Sequence, residues 1–350
     1  MSGLHFHPLR VRELRPEGED AMVVSFEVPS DLACSFRFEP GQYLTLKHGE
    51  LRRSYSICAA ADEGLRVGVR RVAGGAFSNW LHDSLKAGDT VEAMEPQGRF
   101  GAALARRPRH VLAVAGGSGI TPILAILKTV LAQDPRARCT LLYGNRRAAS
   151  TMFKEELEDL KNRYLTRLVL HPVFSREVMD SPLNTGRLDA DKIQTLLRLV
   201  GPVDEAFICG PHAMNDEAEA ALLAAGIAPE RIHVERFGIP PSAADATLHE
   251  PKPGDATTAT ITIVRDGLTS DVAFQPSDES ILAAAGRAGL EVPYSCRSGV
   301  CATCRAKLLQ GRVRMDRNFA LEKSELDAGF VLTCQAHPLT ERVVVSFDER

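Results

Sequence analysis

The sequence predicts a chain of three domains: an antiparallel β-barrel, an α/β domain built on a parallel sheet, and a small α+β domain. Three observations lead to this prediction. Short strands divided by Gly and Pro fill roughly the first hundred residues. From Arg109 onward, strands alternate with amphipathic helices, which is the pattern of a parallel sheet flanked by helices. Four cysteines lie near the C-terminus, at Cys296, Cys301, Cys304 and Cys334.

The barrel is predicted for residues 1–107. One short helix is expected within it, at residues 77–85. The strands are enriched in β-forming residues, are separated by turn signals, and are expected at residues 22–28, 42–47, 54–59, 65–71 and 90–95.

The α/β domain is predicted for residues 108–237, with right-handed crossovers between parallel strands. Strands are expected at residues 110–115, 139–143, 167–174, 205–209 and 231–237. Helices are expected between them, at residues 122–132, 152–164, 190–200 and 213–225.

Residues 238–257 are rich in Pro, Ala, Gly and Asp and are predicted to form a semi-flexible linker. The third domain is predicted for residues 258–350. It should begin with a hairpin that turns at Asp266-Gly267, followed by a helix at residues 280–289 that leads into the cysteine loop.

The cysteine spacing, C-x4-C-x2-C with a fourth cysteine about thirty residues later, is that of a plant-type 2Fe-2S ferredoxin. Gly299 inside the loop suits a backbone bent around a cluster. A zinc site is the second interpretation, although zinc knuckles usually come in pairs and only Cys301 and Cys304 form one. A disulfide framework ranks third, because no signal peptide is recognised at the start of the chain. A cluster carries single electrons, so the rest of the chain is expected to supply or receive them.

The strand predicted at residues 54–59 is preceded by Arg53 and contains Tyr55 and Ser56. A flavin needs an aromatic face against its ring, a hydrogen-bond donor near N5 and a cation for its phosphate, and these three side chains supply them. Gly75 and Ser78 open the short helix that follows, where backbone amides and a hydroxyl can hold a pyrophosphate. We therefore predict a flavin site, with Tyr55 and Ser56 beside the reacting ring.

A glycine-rich turn, residues 116–119, links the first strand of the α/β domain to its first helix. Glycines there let the backbone approach a pyrophosphate, and the helix dipole favours its charge. Gly117 and Thr121 are the predicted nucleotide contacts. A purely structural interpretation makes Thr121 the helix cap and Pro122 the first helical residue.

The type of nucleotide is predicted from the ends of the next two strands. Arg146 follows the second strand, and Ser175 and Arg176 follow the third, whereas no acid ends the second strand. Because NADPH carries a ribose phosphate that cations bind, these residues favour NADPH over NADH.

Cys209, Gly210 and Pro211 end the fourth strand at a tight turn. The position in the sheet predicts that the thiol lies where a nicotinamide meets the flavin. The alternative is a buried cysteine that acts as a small hydrophobic residue.

The net charge of −3 provides no basic field for nucleic acid or an anionic membrane, so neither is an expected partner. The apolar stretch at residues 111–132 is interrupted by glycines and is better explained by a strand, a turn and a helix than by a membrane span. Outside the quartet, four scattered cysteines are expected to be reduced, as in a cytoplasmic protein: Cys34, Cys58, Cys139 and Cys209.

Taken together, these motifs resemble the ferredoxin–NADP reductase superfamily, and the whole chain resembles three-domain oxygenase reductases with a C-terminal β-grasp ferredoxin domain. Several strings are similar to the reductase component of phenylacetyl-CoA epoxidase. These strings are Tyr143-Gly144-Asn145-Arg146, Phe174-Ser175-Arg176-Glu177, Gly299-Val300-Cys301-Ala302-Thr303-Cys304, Ala320-Leu321-Glu322-Lys323 and Leu332-Thr333-Cys334-Gln335-Ala336.

The resemblance implies an NADPH-dependent reductase that contains FAD and a 2Fe-2S cluster and serves a multi-subunit di-iron oxygenase acting on an aromatic CoA thioester. It assigns the four cysteines to the cluster, Arg53, Tyr55, Ser56 and Ser78 to FAD, and Gly117 and Thr121 to the nucleotide. Two alternatives stay open at this point. One is a reductase for a Rieske-type oxygenase or demethylase that uses FMN and NADH, and the other is a redox sensor.

Overall fold

The computed structural model describes residues 5–239 and 249–349, in two compact units. The larger unit comprises His7–Leu51 and Tyr55–Phe237 and therefore includes most of the predicted barrel and the α/β domain. The smaller unit contains the cysteine quartet. The predicted linker falls partly on residues 240–248, which lie outside the described residues.

The barrel is a six-stranded sheet with the strand order β4-β3-β6-β1-β2-β5. An isolated bridge between Ile57 and Val67 joins its two edges. The first strand was not predicted, because its inward-facing Leu9 and Val11 alternate with charged residues and follow a proline. The elements are β1 (Phe6–Glu17), β2 (Ala21–Glu27), β3 (Tyr43–His48), β4 (Leu51–Ser56), β5 (Arg66–Arg70), helix α1 (Ala76–Asp83) and β6 (Thr90–Met94).

The α/β part is a five-stranded sheet in the order β11-β10-β7-β8-β9. Its neighbouring strands pair in parallel, as predicted. The elements are β7 (His110–Gly116), α2 (Ile120–Gln133), β8 (Arg138–Asn145), α3 (Lys154–Tyr164), β9 (Leu168–Phe174), α4 (Ala190–Leu197), β10 (Glu205–Gly210), α5 (His212–Ala224) and β11 (Ile232–Arg236).

The barrel and the parallel sheet share one hydrophobic core. Cys58 and Phe100 of the barrel region are buried in the same cluster as Ile123 of α2 and Phe207 of β10. The Phe100 and Phe207 rings meet edge to face, with 5.4 Å between their centroids. Burial of this apolar surface holds the two layers together.

A buried ionic network reinforces this shared core. Lys128 of α2 is only 7% exposed, and its ammonium donates to both carboxylate oxygens of Glu63, at 2.7 Å each. It also contacts Glu156 of α3, which Arg66 of β5 contacts in turn. Burial alone would raise the pKa of the Glu156 carboxyl, but hydrogen bonds from Arg66 and Lys128 outweigh it and keep the pKa below its usual value. The network therefore pairs each buried charge with an opposite charge, although within the described residues Arg66 Nε and Glu156 Oε2 have no hydrogen-bond partner.

The smaller unit contains a five-stranded sheet in the order β13-β12-β18-β14-β16 and a two-stranded sheet of β15 and β17. The predicted hairpin is confirmed, since Asp266 and Gly267 both adopt positive φ between β12 and β13. Ser280 caps α6, because its hydroxyl accepts from the Ala283 amide at 3.2 Å. The elements are β12 (Ala259–Arg265), β13 (Leu268–Phe274), α6 (Ile281–Arg287), β14 (Arg305–Gln310), β15 (Val313–Met315), α7 (Lys323–Asp327), β16 (Phe330–Leu332), β17 (Ala336–Pro338) and β18 (Arg342–Ser346).

Strand β18 lies in the middle of this sheet. It pairs in parallel with β12 and antiparallel with β14. Among the residues that the structure describes, no helix is both long and apolar enough to cross a membrane.

Replacing Lys128 by Met should destabilise the larger unit by about 3 kcal/mol, the lower end of the range for breaking a buried ion pair. The change leaves Glu63 paired with Arg66, and leaves Glu156 paired with Arg66 and with Arg15, which is 3.7 Å away. Denaturant unfolding can be followed by the fluorescence of Trp80, the single tryptophan, which lies in α1. Lys154→Met is the matched control, because Lys154 is 55% exposed and should cost almost nothing. Equal stabilities of the two variants would contradict a stabilising role of the network.

Candidate functional site

The cysteine loop turns its backbone amides toward sulfur. Arg297, Gly299 and Ala302 all have φ between 55° and 76°, which curls the loop on itself. As a result, the Ser298 amide lies 3.4 Å from the Cys296 sulfur. The Cys296 amide lies 3.5 Å from the Cys301 sulfur. Such amide dipoles stabilise negative charge on thiolates and on a bound cluster.

The four sulfurs fall into two pairs. Hydrogen bonds join Cys296 with Cys301 and Cys304 with Cys334. In the described parts of the chain no three cysteine sulfurs lie within 4.8 Å of one another. A tetrahedral zinc ion with bonds of about 2.3 Å would hold all four about 3.8 Å apart. The arrangement therefore fits a two-iron cluster with two thiolates per iron better than a single zinc ion.

The two pairs differ in their exposure to solvent. Cys304 and Cys334 are 2% and 3% exposed, whereas Cys296 and Cys301 are half-buried. Within the outer pair, a hydrogen bond from Cys301 lowers the pKa of the Cys296 thiol to about 5, and the same bond raises that of Cys301. Gln335 donates to the Cys334 sulfur at 3.5 Å. This donor was not found from the sequence, and its position directly after the fourth cysteine was the available signal.

Arg53, Tyr55 and Ser56 lie on the single strand β4 of the barrel. Arg53 is exposed, Tyr55 is half-buried and Ser56 is 3% exposed. Arg53 and Tyr55 share a face of the strand because side chains alternate. The Tyr55 ring packs against Phe77 of α1, 6.0 Å between centroids. An exposed cation beside a held aromatic ring fits the chemistry of a flavin phosphate and ring, and the assignment of these residues to the flavin stays a prediction.

Gly75 and Ser78 form a compact turn at the start of α1, where Gly75 is the N-cap residue. The buried Ser78 hydroxyl accepts from the Val72 amide at 3.1 Å and donates to the Gly75 carbonyl at 3.3 Å. A Cβ at Gly75 would lie 2.8 Å from that hydroxyl. The hydroxyl therefore shapes the turn, and the backbone amides of the helix start are the groups that can face a phosphate.

The turns that follow β7 and β10 approach so closely that only glycine fits. A Cβ at Gly119 would lie 2.0 Å from the Cys209 carbonyl oxygen, and one at Gly116 would lie 2.6 Å from Pro211. A Cβ at Gly210 would lie 2.5 Å from Met214 of α5. The structure thus brings the predicted nucleotide turn and the predicted Cys209–Pro211 turn to the same edge of the sheet, the carboxyl edge, where nucleotides bind in such folds.

The prediction of Thr121 as the helix cap is wrong. Helix α2 begins at Ile120, with Gly119 at the N-cap position. The cause is Gly117, whose φ of 54° starts a tight turn that brings the chain into helical geometry early. The buried Thr121 hydroxyl donates to the Ser118 carbonyl at 3.0 Å and so holds this turn. The contacts of Gly117 and Thr121 with a nucleotide stay predictions.

Glu235 is a site residue that was not found from the sequence. It lies on β11, directly opposite Cys209 of β10 in the parallel register. Glu235 is partly exposed as a residue, but desolvation of its carboxyl raises its pKa to about 8. Burial, together with the nearby Glu235, raises the pKa of the Cys209 thiol well above its ordinary value. The raised pKa values favour the neutral forms of both the Cys209 thiol and the Glu235 carboxyl. The role of Glu235 was not predictable, because a single acidic residue in a short strand forms no sequence pattern.

Arg146, Ser175 and Arg176 lie close together beyond the ends of two adjacent strands. The Arg176 amide donates to the Arg146 carbonyl at 2.9 Å, so the two arginines are neighbours beyond the ends of β8 and β9. All three residues are exposed, and within the described residues neither guanidinium has an ion-pair partner. Glu177 is nearby, but its carboxylate accepts from the Ala148 amide at 2.7 Å.

The barrel, the parallel α/β sheet and the cysteine-bearing domain together define an oxidoreductase class. Its members bind a flavin and a pyridine nucleotide and carry an iron–sulfur domain. Three family models match in chain order. They are the oxidoreductase FAD-binding domain at residues 8–101, the oxidoreductase NAD-binding domain at residues 113–220 and the 2Fe-2S iron–sulfur cluster binding domain at residues 264–339.

The relatives make the assignment narrower. The chain is 45% identical to a subunit of 1,2-phenylacetyl-CoA epoxidase of Escherichia coli K12, over 99% of this chain and 98% of that protein. It is 34% identical to the ferredoxin reductase component of 3-ketosteroid-9-alpha-monooxygenase of Mycobacterium tuberculosis, over 99% of this chain and 97% of that protein. The structure of phthalate dioxygenase reductase superposes with a TM-score of 0.61 at 24% identity, covering 97% of this chain and 98% of that one. The chain belongs to the family of oxygenase reductases with FAD-binding, NAD-binding and 2Fe-2S domains.

Replacing Gly119 by Ala should slow reduction of the flavin by a pyridine nucleotide at least about 10-fold. The new methyl group would meet the Cys209 carbonyl, which is backbone and cannot move aside, so the two turns must separate; a displacement of about 1 Å can cost a hundredfold in rate. Stopped-flow absorbance of the flavin band measures the rate. Gly286→Ala in α6 is the control, because a Cβ there meets nothing within 4 Å. An unchanged rate in Gly119→Ala would show that the close approach is not needed.

Proposed function

We propose that this protein takes electrons from NADPH and delivers them, through FAD and a 2Fe-2S cluster, to the multi-subunit di-iron oxygenase of a phenylacetyl-CoA epoxidase system. The observation that carries this proposal is the 45% identity to a subunit of such an epoxidase over nearly the full length of both chains. When bound, the flavin would accept two electrons as one hydride and release them singly, and the cluster would carry one electron at a time. The cytoplasm, where thiols stay reduced, is the proposed location.

The barrel residues hold and orient the flavin in this proposal. Arg53 supplies the cation for its phosphate, Tyr55 supplies an aromatic face, and Ser56 supplies a hydroxyl near the reacting atoms. The start of α1 at Gly75 provides backbone amides for the pyrophosphate. The packing of Tyr55 on Phe77 supports a fixed ring position, because the ring is held before any cofactor arrives.

The carboxyl edge of the parallel sheet positions the nucleotide. Gly117 and the start of α2 face its pyrophosphate, and Gly210 and Pro211 keep the turn beside Cys209 flat enough for a nicotinamide. Cys209 is 0% exposed and packs in the core beneath this turn, and its raised pKa keeps the thiol protonated and neutral. Glu235 holds a proton next to it up to a pH of about 8.

The preference for NADPH is proposed from the exposed arginine pair. Arg146 and Arg176 are neighbours with no ion-pair partner among the described residues, and Ser175 lies between β9 and Arg176. Two cations and a hydroxyl at this edge complement a ribose phosphate. The acid of the same loop, Glu177, is held by a backbone amide.

The main alternative is a reductase for another oxygenase, of the Rieske or demethylase kind and using NADH. Two kinds of relative support this alternative. The chain is 34% identical to a 3-ketosteroid-9-alpha-monooxygenase ferredoxin reductase component and 27% identical to a stachydrine N-demethylase reductase subunit. The higher identity to the epoxidase component favours the first proposal.

The decisive experiment combines a spectrum with reconstitution. The visible spectrum of purified protein, recorded before and after NADPH, identifies flavin and cluster, and the extracted flavin distinguishes FAD from FMN. The protein is then mixed with purified oxygenase components of a phenylacetyl-CoA epoxidase and of a 3-ketosteroid monooxygenase. NADPH-dependent epoxide formation is expected with the first alone. Turnover with only the second would overturn the partner assignment.

Arg176→Ala should raise the KM for NADPH about 10- to 100-fold, since a charge-assisted hydrogen bond is worth about 1.5–3 kcal/mol. The KM for NADH should change little, because NADH has no ribose phosphate. Steady-state ferricyanide reduction measures both constants. Arg231→Ala, an exposed arginine at the opposite end of the sheet, is the control and should leave both unchanged. Equal increases for both nucleotides would contradict the phosphate contact.

Cys304→Ser should abolish cytochrome c reduction and leave ferricyanide reduction by the flavin largely intact. Cys304 is one of the two buried ligands, so its loss should prevent a stable cluster. Cys34→Ser is the control, because Cys34 is exposed and outside the quartet, and it should retain both activities. If both activities survive in Cys304→Ser, the cluster is not on the electron path.

A further inference from the structure

A second cluster of metal-binding side chains lies in the smaller unit, apart from the cysteine quartet. His249 is the first residue described after position 248 and lies within the predicted linker, residues 238–257. Asp316 follows β15, and His337 is the central residue of β17, which pairs with β15. Among the described residues, no other His, Cys, Asp or Glu side chains form a group of three whose ligand atoms all lie within 4.8 Å of one another.

The three ligand atoms form a triangle of the size that a zinc ion requires. Asp316 Oδ2 lies 2.8 Å from His337 Nε2 and 3.1 Å from His249 Nδ1. The two imidazole nitrogens are 3.5 Å apart. Bonds of about 2.0–2.1 Å in a tetrahedral zinc site place ligand atoms about 3.3 Å from one another. The three atoms therefore already approximate one face of such a tetrahedron.

The surroundings favour a dication at this place. Arg314 binds both oxygens of Asp255, at 2.6 Å each, and also contacts Asp316 Oδ1. Oδ2 of Asp316 faces the two imidazoles and also accepts from the backbone amide of His249 at 3.1 Å. The carboxylate is thus oriented by partners outside the ligand set, as metal ligands commonly are. With neutral imidazoles, the two carboxylates and one guanidinium leave a net charge of −1 for an incoming cation.

We propose that His249, Asp316 and His337 bind one Zn²⁺ ion, with a fourth position open to water. Two imidazoles and a carboxylate are a ligand set that zinc favours. The ion joins residue 249 to the β15–β17 sheet and so fastens the second half of the predicted linker to the iron–sulfur domain. Without metal, the same atoms are held by hydrogen bonds from the imidazoles to the carboxylate.

The test uses the full-length holoprotein, whose cluster occupies the cysteines. The protein is dialysed against micromolar ZnCl₂ and then against metal-free buffer. The zinc content per chain is measured by inductively coupled plasma mass spectrometry. About one zinc per chain is expected for the wild type. His249→Gln and Asp316→Asn should weaken zinc binding at least as much as the roughly 10–100-fold loss known for changes of outer partners.

Two controls make the result specific. His48→Gln removes an exposed histidine of the barrel and should leave zinc binding unchanged. An unchanged visible spectrum of the cluster in each variant shows that the smaller unit is folded. Hydrogen exchange of residues 249–258 should slow on zinc addition in the wild type and not in Asp316→Asn. Wild-type protein without zinc, or equal zinc in all variants, would overturn the proposal and leave a hydrogen-bonded cluster only.

Discussion

The larger unit depends on the burial of opposite charges between the barrel and the parallel sheet. A lysine in an apolar helix is costly unless carboxylates meet it, and here Glu63 and Glu156 do so from two different elements. The network works only if the barrel, α2 and α3 have one fixed arrangement. A shift that separated Lys128 from its partners would leave a charge in the core. This constraint keeps α2 and α3 in a defined position against the barrel segment that carries Glu63 and Arg66.

The same edge of the sheet collects residues that are far apart in sequence. The first and fourth strands of the α/β part end in turns that approach within the reach of a single methyl group, at Gly119 and Cys209. The next two strands end in the exposed arginines. Because parallel strands all finish at one edge, the chain needs no long loops to assemble a binding surface for an extended nucleotide. The chemistry is spread over four short turns.

The sequence predicted the parallel sheet well, because buried parallel strands are nearly continuous apolar runs and the helices between them are amphipathic. It failed for β1, where charged residues interrupt the apolar ones. It predicted the cluster from spacing alone, since the ligand spacing of such loops is specific. What it missed depends on contacts between distant segments. In the sequence, Lys128 is a single charged residue in an apolar helix, and Glu235 is a single acidic residue in a short strand. Neither position indicates its buried partners. The His249 and His337 pair is separated by 88 positions, and no local pattern reports such a meeting.

The position of β18 has a consequence for how the protein is made. This strand fills the middle of its sheet, yet it is synthesised after every one of the four cysteines, the last of which is Cys334. Until β18 has been made, β12 and β14 have no strand between them, so this sheet cannot be completed. All four cysteines are therefore translated before the sheet of their own domain can close.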